Sequence, residues 1–128
     1  PAAARAAFEL GIMHRDAAEF DAAVEAFKQA GFSDDVFGPL TDANIGDCLV
    51  ELGDLEGAEG HFASAASAAA GGLAAKALSP MCSYKRAVVL LELGENDKAR
   101  NVLEDLSEDF PNSTYASNAT GLAASLAR

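Results

Sequence analysis

The stretch that decides the fold is residues 45–62, which read IGDCLVELGDLEGAEGHF. Gly46 is followed by Ala58 after 12 residues and by Phe62 after 16. A small residue on each of two helices allows them to approach closely, and a large apolar residue one turn further on fills the space beside the contact. Gly53 lies between them, where a helix would end, because glycine adopts positive φ at little cost. The stretch therefore predicts two helices joined by a tight turn.

The same spacing occurs three times along the chain. The first helices are marked by Gly11, Gly46 and Ala87, which lie 35 and 41 residues apart. The second-helix positions that follow at the same offsets are Ala23, Phe27 and Ala30, then Ala58, Phe62 and Ala65, then Ala99, Leu103 and Leu106. A period of this length is typical of helical-hairpin repeats that stack into a solenoid. We therefore predict an all-α solenoid of three hairpins.

Glycine and proline set the expected boundaries within a single domain spanning residues 1–128. Pro39 and Pro80 are each expected in the first turn of a first helix, with Ser79 as an N-cap. The longer second spacing predicts additional residues around 67–77, either in the second helix of that hairpin or in its loop, where Gly71-Gly72 is a break. The predicted segments are repeats at about 4–37, 39–76 and 80–111, and a capping helix at about 115–127.

The last helix is predicted to close the stack. Tyr115, Leu122 and Leu126 fall near one helical face. The end of a solenoid exposes an apolar surface, which a terminal helix with such a face covers.

This pattern resembles the tetratricopeptide repeat. The third copy departs from its consensus, with Ala87 for glycine and Leu103 for the aromatic residue, but Pro111 matches. The resemblance covers about residues 4–111 and implies a right-handed α-solenoid whose first helices line a concave groove. The other matching positions are Leu10, Gly11, Phe20, Ala23, Phe27 and Ala30 in the first copy, and Ile45, Gly46, Gly53, Leu55, Ala58, Phe62 and Ala65 in the second.

Two segments also resemble a narrower group. Residues 45–55, IGDCLVELGDL, and 110–113, FPNS, are similar to the periplasmic tetratricopeptide proteins of bacterial inner membranes, of the ancillary translocon-subunit type. The same local motifs are shared with outer-membrane assembly lipoproteins. This resemblance implies a role in envelope protein translocation or assembly and a periplasmic location, with an N-terminal anchor in a preceding segment. The alternative location is cytoplasmic.

The composition is strongly acidic, with 20 acidic and 9 basic residues and a formal net charge of −11. Nucleic acid and anionic membrane surfaces are disfavoured partners, since both require clustered Lys or Arg. No segment has the length and hydropathy of a membrane span, so we expect no direct membrane insertion by this chain. The simple interpretation of the acidity is solubility, and the functional one is a preference for a basic partner.

The residues that usually carry chemistry do not converge in sequence. His14 and His61 fall in different repeats and belong to no metal-ligand motif, so we interpret both as structural. Cys48 and Cys82 are expected to be small buried residues. A disulfide between them is the alternative, and it would need Cα atoms within about 7 Å. We predict no enzymatic activity, no cofactor and no metal.

The concave groove is the remaining candidate site, and we expect it to bind a protein or peptide partner. It lacks the Lys, Asn and Arg set with which related clamps hold a terminal carboxylate. One alternative is that its apolar residues pack within the hairpins. Another is a structural role, in which the apolar surface docks to a second copy or to a missing N-terminal part. The predicted groove residues are Arg5, Phe8, Ile12, Arg15, Ala43, Asp47, Val50, Tyr84, Val88 and Leu91.

Overall fold

The computed structural model describes residues 2–34, 36–69 and 75–126, which form seven α-helices and no strand. Consecutive helices pack as three hairpins, α1 with α2, α3 with α4 and α5 with α6, and α7 packs on α6 and α5. This arrangement confirms the predicted all-α solenoid of helical hairpins. The helices are α1 (Ala2–Asp16), α2 (Phe20–Ala30), α3 (Phe37–Glu51), α4 (Leu55–Ala69), α5 (Ala75–Glu92), α6 (Asn96–Asp109) and α7 (Thr114–Ser125).

The first two hairpins close where a glycine faces a phenyl ring. A Cβ atom placed on Gly11 would lie 2.6 Å from the ring of Phe27, and one on Gly46 would lie 2.6 Å from the ring of Phe62. Both rings are buried, with 0% and 1% of their surface exposed, so neither can move aside without disturbing the core. The absence of a side chain on the first helix is therefore what lets the two backbones come this close.

The third hairpin makes the equivalent contact with different residues. Ala87 stands where the other hairpins have glycine, and Leu103 replaces the aromatic ring. Both side chains are fully buried in one apolar cluster. An added methyl group on the first helix is thus accompanied by a smaller side chain on the second.

The turn inside each hairpin is the same in all three copies. A residue with positive φ follows the first helix, with φ of 60° at Ala18, 83° at Gly53 and 80° at Gly94. At the second turn, the N–H of Gly53 donates to the carbonyl of Val50 at 3.0 Å. The next N–H reaches one residue further back, and the same pair of bonds recurs in the other two turns. This Schellman geometry suits glycine, so Ala18 carries a conformational cost that its counterparts avoid.

The last helix covers the apolar end of the third hairpin, as predicted. Ala116, Ala119 and Ala123 of α7 are buried in the same cluster as Leu103. The three residues predicted to form the covering face also pack against it: Tyr115, Leu122 and Leu126. At the helix start, the Ser113 hydroxyl oxygen accepts a hydrogen bond from the N–H of Tyr115 at 3.1 Å, a side-chain N-cap.

The predicted start of the third hairpin is wrong. Helix α5 begins at Ala75, so Pro80 lies inside the helix and Ser79 is not its N-cap. Packing explains the difference, because both residues are buried and the Ser79 hydroxyl donates to the carbonyl of Ala66 at 3.1 Å. These contacts offset the backbone hydrogen bond that proline cannot donate. Pro39, in contrast, lies in the first turn of α3, as predicted.

Two helices account for the longer spacing between the second and third repeats. The 15 residues of α4 exceed the 11 of α2, which agrees with the first of the two predicted alternatives. The 18 residues of α5 also exceed the 15 of α3, which the sequence did not indicate. The predicted break at Gly71-Gly72 lies outside the described residues.

Gly46→Leu is expected to lower the unfolding free energy by about 1–3 kcal/mol, the usual cost of overpacking a core. The added side chain would meet the buried ring of Phe62. Gly60→Leu is the matched control, because a Cβ atom at Gly60 in α4 meets nothing within 4 Å. Urea denaturation of both variants provides the comparison. Equal stability of the two variants would refute the close contact between α3 and α4.

Ala18→Gly is expected to raise the unfolding free energy by about 0.5–1 kcal/mol. Removing the methyl group removes the strain of the left-handed backbone at this position. Glycine also has greater conformational entropy in the unfolded chain, which offsets part of this gain in stability. The reverse change, Gly53→Ala, should lower the unfolding free energy by a similar amount. Thermal denaturation compares the stability of both variants with that of the wild type. A loss of stability in Ala18→Gly would show that the turn is not strained.

Candidate functional site

The first helices α1, α3 and α5 border a cavity of about 490 Å³, which we call the groove. Its lining combines apolar side chains with charged ones on neighbouring hairpins. The apolar members are Phe20, Val50, Phe62, Tyr84, Val88 and Val89, and the charged members are Arg15, Asp47, Glu51, Lys85 and Glu92.

The structure brings five of the predicted residues together in this groove: Arg15, Asp47, Val50, Tyr84 and Val88. Four of them lie one or four residues after the marker of their own first helix, as Asp47 and Val50 do relative to Gly46. Residues at these offsets share a helical face, so stacking the hairpins aligns them. The repeat register therefore locates part of the groove, although Ile12 and Leu91 stand at the same offsets and do not line it.

The other predicted residues do not line the groove. Phe8 is half-buried, and its ring centre lies 5.6 Å from that of Phe27, so the expectation that Phe8 points away from the second helix is wrong. Ile12 is partly buried and packs against the core cluster that contains Phe27. Arg5 is exposed and lies 3.8 Å from Glu9. The remaining two are Leu91, which is half-buried outside the lining, and Ala43, which is buried against Cys82 and Ala65.

Phe8 belongs to an aromatic cluster that draws it away from the groove. Its ring centre is 6.0 Å from those of both Phe32 and Phe37. The rings of Phe32 and Phe37 are themselves 5.2 Å apart. These contacts hold the loop before α3 against the first hairpin, so Phe8 has a structural role there.

Sequence reasoning missed several lining residues, although a signal existed for two of them. Glu51 and Glu92 each lie five residues after the marker of their helix, at the same offset as Asp16 in the first repeat. The spacing could have identified this recurring carboxylate position. The participation of Phe20, Phe62, Lys85 and Val89 depends on how neighbouring hairpins stack, which no local spacing records.

The two cations of the groove are engaged by neighbouring side chains. The Lys85 ammonium lies 2.8 Å and 3.0 Å from the two carboxylate oxygens of Asp47. It is also 5.9 Å from the centre of the Phe62 ring, at the limit of a cation–π contact. The Arg15 guanidinium donates to Asn44 and lies 3.1 Å from Asp16. The positive charge in the groove is therefore already balanced.

Tyr84 connects the groove to the last helix. It lines the cavity and packs partly buried against the terminal cluster. Its ring centre lies 5.6 Å from that of Tyr115. A large change at Tyr84 would therefore disturb the core as well as the groove, so Val88, which is 37% exposed, is the cleaner probe of binding.

The histidines form separate local contacts. His14 Nδ1 lies 2.8 Å from a carboxylate oxygen of Glu19, and His61 Nδ1 lies 3.1 Å from one of Asp42. Within the ranges that the structure describes, no group of three or more His, Cys, Asp or Glu side chains is arranged to hold a metal ion. None of the described helices combines the length and hydropathy needed to cross a membrane.

Both cysteines are buried free thiols, as the sequence predicts. Cys48 belongs to the core of the first and second hairpins, whereas Cys82 packs with Ala43 and Ala65. Burial raises the pKa of the Cys82 thiol to about 11, and burial also raises the pKa of Cys48.

A stack of helical hairpins with a groove along its first helices defines a class of helical-repeat proteins. The family model described as tetratricopeptide repeat matches residues 49–123. The chain therefore belongs to the tetratricopeptide repeat family. Domains of this family generally mediate protein–protein interaction, and they are typically non-catalytic. A comparison with curated proteins finds no matching relative.

Both thiols are expected to resist Ellman's reagent at pH 8 in the folded protein and to react at once in denaturant. The raised pKa values mean that the folded state retains both protons. For Cys82 the associated stability is present below the ordinary thiol pKa of 9.0 and is lost as pH rises towards 11. Cys48→Ala and Cys82→Ala assign the reaction to one thiol or the other. Immediate labelling of the native protein would show that the thiols are accessible.

Proposed function

We propose that the protein is a non-catalytic interaction module that binds a polypeptide segment in the groove. The observation that carries the proposal is the cavity of about 490 Å³ between the first helices. Ligand sites generally occupy about 300–1,000 Å³ and combine apolar walls with a few placed polar groups. The valines, aromatic rings and carboxylates of the groove match that description.

Val88 is the side chain through which this proposal is best tested. It lines the groove with 37% of its surface exposed, so a change there removes contact area without opening the core. Leu52 offers a matched control, because it is 41% exposed but lies in the turn after α3, outside the groove lining. Comparing the two positions separates loss of the groove from loss of any exposed aliphatic side chain.

Val88→Ser is expected to weaken binding of peptides selected by the wild-type domain from a random library. We expect a loss of about tenfold or more, corresponding to the 1–2 kcal/mol typical of a buried contact residue. Leu52→Ser should bind as the wild type does. Fluorescence anisotropy measures the affinities, and circular dichroism checks that both variants are folded. Unchanged binding by Val88→Ser would place the binding surface elsewhere, with the convex face of the second helices as the next candidate.

A second candidate function is docking or self-association through the outer face of α1. Leu10 and Met13 are 45% and 68% exposed there. Their counterparts at the same offsets in the second repeat, Ile45 and Cys48, are 4% and 0% exposed because the preceding hairpin covers them. The outer face of α1 thus has the character of a stacking surface that another helix would cover.

Light scattering over a range of concentrations tests whether a second copy provides that helix. Self-association predicts an apparent mass that rises with concentration and falls in a Leu10→Ser/Met13→Ser variant. A mass independent of concentration would contradict self-association. The remaining candidate would then be docking of α1 against a preceding segment of a longer protein.

The motifs of residues 45–55 and 110–113 support a finer proposal. We place the protein in the bacterial periplasm, held at the inner membrane by a preceding segment and acting in envelope protein translocation or assembly. Fractionation of the native full-length protein tests this placement, and recovery in the cytoplasm would contradict it.

A further inference from the structure

We infer that the groove selects a basic, apolar polypeptide segment, with cationic side chains contacting Glu51 and Glu92 while aliphatic ones contact the valines beside them. This inference rests on the proposed function, because it specifies the chemistry of the segment that the groove binds. It concerns the partner's charge and spacing, which the family assignment leaves open.

The ion pairs within the groove leave two carboxylates for a ligand. Lys85 is engaged by Asp47, and Arg15 is engaged by Asp16 and Asn44. Glu51 and Glu92 are exposed, and neither has an ion-pair partner within the described residues. The charge left for a ligand is therefore negative, which fits a cationic partner and not a terminal carboxylate.

These two carboxylates both lie at the C-terminal end of a first helix. Glu51 is the last residue of α3 and Glu92 is the last residue of α5, and neither helix has a basic residue in its last turn. The helix dipole favours cations at a C-terminus and disfavours acidic groups. An acidic residue at this position in two hairpins costs stability, and a cationic ligand placed there would offset that cost.

An apolar surface lies beside these carboxylates. Val50 precedes Glu51 directly, and Val88 lies one helical turn before Glu92. Both valines line the groove, with Tyr84 beside them. A purely polar basic segment would leave these side chains uncovered, so the fitting segment carries aliphatic residues between its charges.

The spacing of the two carboxylates suits a segment in the polyproline II conformation. Packed helices lie about 8–10 Å apart, and such a segment advances about 3.1 Å per residue with three residues per turn. Cationic side chains three residues apart therefore lie on one face, about 9 Å apart, and would reach the carboxylates of neighbouring first helices. The net charge of −11 over the whole chain adds long-range attraction for such a segment.

Three capped fluorescent peptides test the inference, each containing one of the cores Lys-Val-Leu-Lys, Gln-Val-Leu-Gln or Glu-Val-Leu-Glu. We expect the lysine peptide to bind about tenfold more tightly than the glutamine peptide at low ionic strength, from two partly exposed ion pairs. The glutamate peptide should bind most weakly. The preference should shrink in about 0.5 M salt, because screening weakens exposed pairs.

A double variant, Glu51→Gln/Glu92→Gln, should abolish the preference of lysine over glutamine. Its matched control is Glu25→Gln/Glu108→Gln, which removes the same charge from exposed positions on α2 and α6 outside the groove. The control should keep the preference. Equal loss in both variants would show that only net charge matters, and it would overturn the assignment to the groove carboxylates.

The remaining outcomes separate this inference from the proposed function. Equal binding of the lysine and glutamine peptides, weakened by Val88→Ser, would overturn the charge preference and leave the groove intact. A lysine preference that Val88→Ser does not weaken would refute the groove as the binding surface. Failure of all three peptides to bind, or preference for glutamate, would overturn the inference that the ligand is a basic, apolar segment. The peptides selected from the library would then test separately whether the groove binds a polypeptide.

Discussion

The contact between a bare backbone on the first helix and a buried ring on the second is the constraint on which the structure depends. Gly46 against Phe62 and Gly11 against Phe27 leave no room for a Cβ atom. Such a contact fixes how deeply the two helices interlock and which residues of the first helix face outward. The groove is a consequence of this geometry, because the first-helix side chains that line it occupy the face that the contact leaves uncovered.

The three turns share one backbone geometry, so the first helices end at equivalent positions in each hairpin. In each copy a residue with positive φ ends the helix, and paired backbone hydrogen bonds close the turn. Glu51 and Glu92 therefore occupy equivalent places on neighbouring hairpins. A helix end that normally favours a cation instead presents a carboxylate beside an apolar surface. This conflict between local helix stability and residue choice gives the groove its chemical character, since a basic segment would relieve it.

Sequence spacing predicted the hairpins, the turns at Gly53 and Gly94 and the closing role of the last helix, because each depends on residues close together in the chain. It failed at Pro80, where tertiary packing extends α5 through a residue that usually begins a helix. It also failed for Phe8, which packs half-buried against Phe27 and Phe32 instead of lining the groove. The pair of Lys85 and Asp47 spans 38 residues, so only the stacked hairpins could place it.

A double-mutant cycle of Gly46→Ala and Phe62→Leu tests the central contact most directly. The double variant reproduces the pairing of Ala87 with Leu103 in the third hairpin. Because the leucine removes the ring atoms that the new methyl group would meet, we predict that the double variant is at least about 1 kcal/mol more stable than the two separate losses imply. Unfolding free energies that add to within about 0.5 kcal/mol would contradict a direct contact between the two positions and the packing scheme built on it.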